Sequence, residues 1–190
     1  MTEDEHDLDV LKEECAERAS AMLLDSIAPD VDLDTPGRMA RALIELTDGY
    51  DADPKAILKS FEAPKDSGIV VVRDIPFASL CEHHVLPFMG KAAVAYLPSD
   101  RVVGLSKVPR LVRAFSRRLQ MQERIGQQVA DALAKHLKAR GVLVVLRAQH
   151  TCMTIRGACA PGETVTSCAR GVFRKDAAAR AEALHLIGGS

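Results

Sequence analysis

Ile69-Val70-Val71-Val72 and, farther on, Lys91-Ala92-Ala93-Val94-Ala95-Tyr96-Leu97 decide the fold, because both runs are rich in small and β-branched residues and read as strands. Phe88-Met89-Gly90 is expected to bend the chain just before the second run. Downstream the period changes. Ser106 stands as N-cap of a helix whose apolar stripe is Val108, Leu111, Val112 and Phe115. A second helix carries Ile125, Val129, Ala132, Leu133 and Leu137 and stops at Gly141. Val142 to Ala148 reads as a strand, residues 151–156 and 165–173 are expected to complete the sheet, and Asp176 caps a final short helix. The order strand–strand–helix–helix–strand–strand predicts an α+β fold, with an antiparallel four-stranded sheet and a helix pair between its middle strands.

Upstream of Gly68 the pattern is helical. Leu8, Leu11, Cys15, Met22, Leu23 and Ile27 recur at helical spacing until Pro29. Thr35-Pro36 opens a second helix, with threonine as N-cap and proline in the first turn, and Met39, Ala42, Leu43 and Leu46 form its stripe. Arg38 and Arg41, three apart, lie on another face. Asp51-Ala52-Asp53-Pro54 and the run from Pro64 to Gly68 mark loops. We therefore divide the chain into an N-terminal helical segment, 1–67, and a main domain, 68–190.

The 190 residues suffice for one good-sized core. No apolar run approaches the roughly 18 residues that span a bilayer, and the acidic start lacks the basic opening of a signal peptide. An odd number of cysteines, five, argues for a reducing compartment, so a cytoplasmic protein is expected. The net charge of −1 is unevenly spread: between Arg101 and Arg124 seven basic residues face Glu123 alone. A basic segment in a nearly neutral chain points to a local anionic ligand more than to a nucleic-acid surface, and no nucleic-acid partner is expected.

Two short runs carry most of the candidate chemistry. Cys81-Glu82-His83-His84 is answered, 71 positions after Cys81, by His150-Thr151-Cys152. Cys81, His84 and Cys152 would give three ligands to a tetrahedral zinc with one open position, the pattern of a hydrolytic site, since structural zinc closes with four. His83 and His150 would then be free to move protons near neutral pH. The bland alternative, that these thiols and imidazoles are merely buried, stays open on spacing alone.

With Gly104-Leu105-Ser106-Lys107, Gln122-Glu123-Arg124 and Arg156-Gly157, these runs stand in an order that resembles the GTP cyclohydrolase I family. Thr35-Pro36-Gly37-Arg38 and the ending Thr164-Val165-Thr166 through Gly171-Val172-Phe173 extend the likeness. The resemblance implies the tunnelling fold, in which subunits join their sheets into a ring, and a homo-oligomer of two stacked pentameric rings, a decamer. It implies Zn2+ on Cys81, His84 and Cys152, and acid–base roles for His83 and His150. It implies help from Ser106 in handling the ribose. GTP is the implied substrate: its guanine read by Glu123 with Gln122 beside it, its triphosphate clamped by Lys107, Arg110, Arg156, Arg38 and Arg41. The implied reaction opens the imidazole ring of GTP, releases formate and rearranges the ribose to give 7,8-dihydroneopterin triphosphate. A related tunnelling-fold enzyme acting on another purine or pterin, and a non-catalytic nucleotide-binding ring, are the competing readings. The loop from Ala158 to Glu163 departs from the more polar loop of the family.

Overall fold

The computed structural model describes residues 3–188, with side chains from residue 9 onward. Leu8 of the first predicted stripe, and the acids before it, lie outside the described side chains. Two compact units divide the chain, Met1–Asp48 and Gly49–Ser190.

The first unit is a helix pair, α1 (Glu3–Ile27) and α2 (Thr35–Leu46). Asp34, one residue before the expected Thr35, is the N-cap of α2, because the first helical bond runs from Arg38 N to Asp34 O. Pro36 sits in the first turn, where its missing N–H costs nothing. Leu11, Met22, Leu23 and Ile27 of the α1 stripe are exposed within the single chain.

In the second unit a short turn and α3 (Pro54–Ile57) lead into β1 (Ser60–Glu62). Then come β2 (Val70–Cys81), β3 (Pro87–Leu97) and β4 (Arg101–Val103). Next are α4 (Lys107–Ser116), β5 (Leu119–Gln120) and α5 (Gln122–His136). The chain ends with β6 (Gly141–His150), α6 (Thr151–Thr154), β7 (Glu163–Gly171), α7 (Val172–Lys175) and α8 (Ala177–Gly188). The long strands pair antiparallel in the order β2-β3-β6-β7, with the two-residue β5 added parallel outside β2. β1 and β4 make a separate small pair. The α+β architecture, with α4 and α5 inserted between the middle strands β3 and β6, is the one the sequence predicts.

Alternation along the strands explains how both faces are covered. Phe88, Ala92, Val94 and Tyr96 of β3 turn to the face packed by α4 and α5, together with Val142, Val144 and Leu146 of β6. The opposite face holds a smaller cluster of Ala95, Leu143 and Val145 with Phe173 and Ala183 of the C-terminal helices. The predicted stripes of α4 and α5 are buried on the first face. Each Val, Leu or Ile side chain buried there contributes roughly 1.5–3 kcal/mol.

Three expectations change. Phe88-Met89-Gly90 is no bend but part of β3, paired with Ala148, Gln149 and His150 of β6. Its glycine serves a close approach instead: a Cβ on Gly90 would lie 1.9 Å from the Arg147 carbonyl oxygen. Residues 151–154 form a helical turn, closed by Ile155 N donating to Thr151 O at 3.0 Å, and not a strand. The last strand ends at Gly171, whose φ of +59° and tight packing on the Arg140 carbonyl turn the chain into α7. Asp176 does cap α8, its Oδ1 accepting from the amides of Ala178 and Ala179.

Candidate active site

Sheet register explains why runs 71 residues apart meet. β2 and β6 both flank β3 and both end where β3 begins: Leu80 pairs with Pro87, and His150 with Phe88. Cys81 closes β2, and the chain then makes a tight turn in which the amides of His84 and Val85 donate to Cys81 O. Val85 occupies the left-handed region at φ +55°, a costly place for a β-branched residue that stores roughly 1–3 kcal/mol next to the turn's histidines. On the other side of β3, Thr151 Oγ1 donates to Pro87 O at 2.6 Å and turns the chain out of β6, so that Cys152 faces Cys81.

The result is a compact donor triad. Cys81, His84 and Cys152 offer ligand atoms that all lie within 4.8 Å of one another, the one such group of Cys, His or carboxylate donors among the described residues. Cys81 Sγ is 3.8 Å from His84 Nδ1. Zinc bond lengths to sulfur and nitrogen put a sulfur–nitrogen edge of a tetrahedral site at about 3.6 Å, so that edge is close to the required length. Burial pushes the Cys152 thiol up, and Cys81 beside it adds to the rise. A divalent cation between the two sulfurs would reverse that penalty. Two soft sulfurs and an imidazole therefore suit a metal such as zinc.

The neighbouring histidines differ in setting. His83 Nδ1 is 3.9 Å from Cys81 Sγ, but the ring is largely exposed and its Nε2 lies 3.8 Å from Glu82 Oε1. His150 is half-buried and stacks on Phe88 with centroids 4.5 Å apart and planes 8° apart. Burial pulls its imidazole below the ordinary value, and the Glu123 carboxylate pulls the other way. Its Nε2 is 2.8 Å from Gln122 Oε1.

The short β5 brings the start of α5 to the metal run. Glu82 N donates to Gln120 O at 3.1 Å, and Arg124 forms two bonds to the Glu82 carboxylate, at 2.5 and 3.0 Å. That guanidinium holds the Glu82 carboxyl below the usual carboxylate range. The paired charges fix the Cys81–His84 turn against the helix that carries Gln122 and Glu123. Glu123 is exposed beside a cleft of about 270 Å³, which Gly126, Thr166 and Cys168 also line.

The remaining predicted residues are more scattered. Ser106 is the N-cap residue of α4, yet its side chain makes no capping bond, so the exposed hydroxyl is not spent on the helix. Lys107 and Arg110 stand in the first turn of that helix. Arg156 is exposed just after α6. Arg38 and Arg41 belong to the first unit, where they pair with Asp34 at 3.2 Å and Glu13 at 3.7 Å; exposed pairs of this kind are worth little. A larger hollow of about 580 Å³ opens on the opposite sheet face beside Lys91 and Arg147 and contains none of the candidate residues. Phe88, Thr151 and the Glu82–Arg124 pair have no place in the sequence-derived site. Only the opposite charges of the last two, within motifs already singled out, hinted at a role.

Comparison with known proteins agrees with this geometry. The profile of the family described as GTP cyclohydrolase I matches residues 16–188. GTP cyclohydrolase 1 of Carboxydothermus hydrogenoformans is 46% identical over 185 residues, covering 94% of this chain and 96% of the relative. GTP cyclohydrolase 1 of Halalkalibacterium halodurans is 48% identical over 179 residues, covering 91% and 95%. Among solved structures, the apo archaeosine synthase QueF-Like covers 54% of this chain and 95% of its own, at 14% identity and a TM-score of 0.44. Matched along nearly its whole length, and bringing Cys81, His84 and Cys152 together in one cluster, the chain belongs to the GTP cyclohydrolase I family.

Proposed function

We propose that this protein is a zinc-dependent GTP cyclohydrolase I, converting GTP and water to formate and 7,8-dihydroneopterin triphosphate. The observation that carries the reading is the convergence of Cys81, His84 and Cys152 within 4.8 Å, in a chain of that family. Those three residues would hold the zinc. When bound, zinc supplies acidified water for attack on C8 of the guanine. His83 and His150 flank the triad and would carry the protons that ring opening, formate loss and ribose rearrangement exchange. Ser106, with its hydroxyl not spent on capping its helix, would help to handle the ribose.

Recognition follows from charge type. Guanine presents N1–H and a 2-amino group on one edge, and the Glu123 carboxylate can accept from both. The triphosphate calls for clustered cations, for which Lys107, Arg110 and Arg156 are the candidates on the second unit. Arg38 and Arg41 are proposed for the same task on the resemblance alone. Five cysteines, none in a disulfide, suit a cytoplasmic setting, and among the described residues no helix is long and apolar enough to cross a membrane.

We further read the protein as a homo-oligomer, a decamer of two pentameric rings. Among the described residues β7 pairs only with β6, and most of β2 has no partner outside β3, so both sheet edges are open to pairing with another copy. In such a ring the metal run and part of the phosphate clamp come from different chains. Mixing a Cys152→Ser chain with a Lys107→Ala/Arg110→Ala chain, after dissociation and reassembly, is then expected to restore activity at mixed interfaces. No recovery despite proven subunit exchange would reject the shared pocket.

The activity is tested by measuring formate released from GTP before and after chelation, with zinc restored afterwards. Release that chelation leaves intact would refute the metal-dependent reading. Glu123→Gln tests the guanine contact, since the amide sets a donor against guanine's donors. Unpaired polar groups in a buried complex cost roughly 1–3 kcal/mol, or about ten- to hundredfold in KM for GTP, while thermal stability should hold because Glu123 is exposed. Unchanged KM would remove Glu123 from the guanine site.

A further inference from the structure

Gln122 is 2% exposed, and its amide is committed at both ends. Nε2 donates to Leu146 O at 3.1 Å and Thr164 O at 3.0 Å, and lies 3.0 Å from Thr166 Oγ1. Two of these partners are main-chain carbonyls on β6 and β7, which can only accept. The amide therefore cannot be turned round, because Oε1 would then face two carbonyl oxygens in a buried site, at the cost of unmade hydrogen bonds. Its oxygen is fixed toward His150, 2.8 Å from Nε2. An amide oxygen has no hydrogen to give, so the hydrogen in that bond belongs to His150 Nε2. A neutral imidazole carries one N–H, and its other nitrogen is then the acceptor. Phe88, stacked on the ring, sets the plane, and the bond to Gln122 sets the rotation within it.

We propose that Gln122 is a positioning residue that locks neutral His150 in the Nε2–H tautomer, leaving Nδ1 as the basic atom presented to the reaction, and that its side chain does not hold the nucleotide. The claim rests on the proposed role of His150 as a proton carrier, but the tautomer is a property of the protein without substrate. Wrong rotation or tautomer would leave the imidazole in place yet unable to accept where it must, so the loss falls on turnover and not on binding.

The test has two arms. Zinc-loaded, 15N-histidine-labelled protein without nucleotide is studied by magic-angle-spinning NMR in mildly alkaline buffer, with the His150 signals assigned by their loss in His150→Asn. Hydrogen bonded to Nε2 and absent from Nδ1 is expected; hydrogen on Nδ1 overturns the proposal. In the second arm Gln122→Met, which keeps the length and removes both polar ends, should mix the two tautomers. Its kcat should fall roughly ten- to hundredfold, with KM for GTP and zinc content unchanged. A raised KM with kcat intact would make Gln122 a substrate contact and overturn the positioning role. Should the Gln122→Met chain fail to fold, the tautomer in the unmodified protein decides. An Nε2–H tautomer in a protein that releases no formate from GTP would uphold the geometry while sinking the proposed activity.

Discussion

A Cys152→Ser chain is expected to retain less than about a tenth of the metal of the unmodified protein, and with it to lose formate release from GTP by a thousandfold or more. A serine hydroxyl is a hard, weakly acidic donor, whereas the site is built from two sulfurs and an imidazole. The two remaining ligands cannot hold the ion against dilution, since affinity in such sites comes from closing several bonds at once. Losing the metal removes several kcal/mol of stabilisation from the step that attacks C8, and each ~1.4 kcal/mol is tenfold in rate. Cys81→Ser and His84→Ala should behave alike, because each opens one edge of the same triangle. Cys159→Ser is the control: that thiol is exposed in the loop after α6 and is not one of the triad's donors, so the variant should keep both metal and activity. Metal analysis by plasma mass spectrometry alongside the formate assay checks the series. Full metal in the Cys152→Ser protein would reject the ligand set.

Much of this site is legible before any coordinates, for reasons that differ by residue. Strands and helices announce themselves by period: Val108, Leu111, Val112 and Phe115 can share one face only in a helix, and they are buried as that pattern demands. The candidate ligand triad is legible because thiol and imidazole together are chemically unusual, and because a resemblance ties the two runs to one another. Geometry that depends on a neighbouring strand is not written locally. Gly90 looks like a turn residue in isolation; it is a strand residue because the Arg147 carbonyl crowds its α-carbon, a fact about β6. Thr151 to Thr154 look like a continuing strand, yet the bond from Thr151 Oγ1 to Pro87, contributed by β3, accompanies a helical turn. Gln122 shows the same limit in function. Its place beside Glu123 implies substrate contact, and only the carbonyls of Leu146 and Thr164 reveal that its amide is spent within the chain.

His150→Ala and His83→Ala are expected to keep a full complement of zinc while kcat falls roughly 10²–10⁴-fold, the range associated with loss of a positioned acid or base. Neither residue belongs to the triad within 4.8 Å, so the ion has no reason to leave. A protein that can open the ring but not complete the later proton transfers should accumulate the formylated intermediate, detectable by chromatography of quenched reactions. The two variants should part in stability. His150 is stacked on Phe88 and bonded to the buried Gln122, so removing it leaves Gln122 Oε1 unpartnered and costs about 1–3 kcal/mol. His83 is largely exposed, and its loss should leave thermal unfolding almost unmoved. Equal losses of stability would contradict the difference in their surroundings. If either variant instead sheds zinc as readily as Cys152→Ser, then that imidazole is a ligand, and the division of this cluster into three residues that hold the metal and two that move protons is wrong.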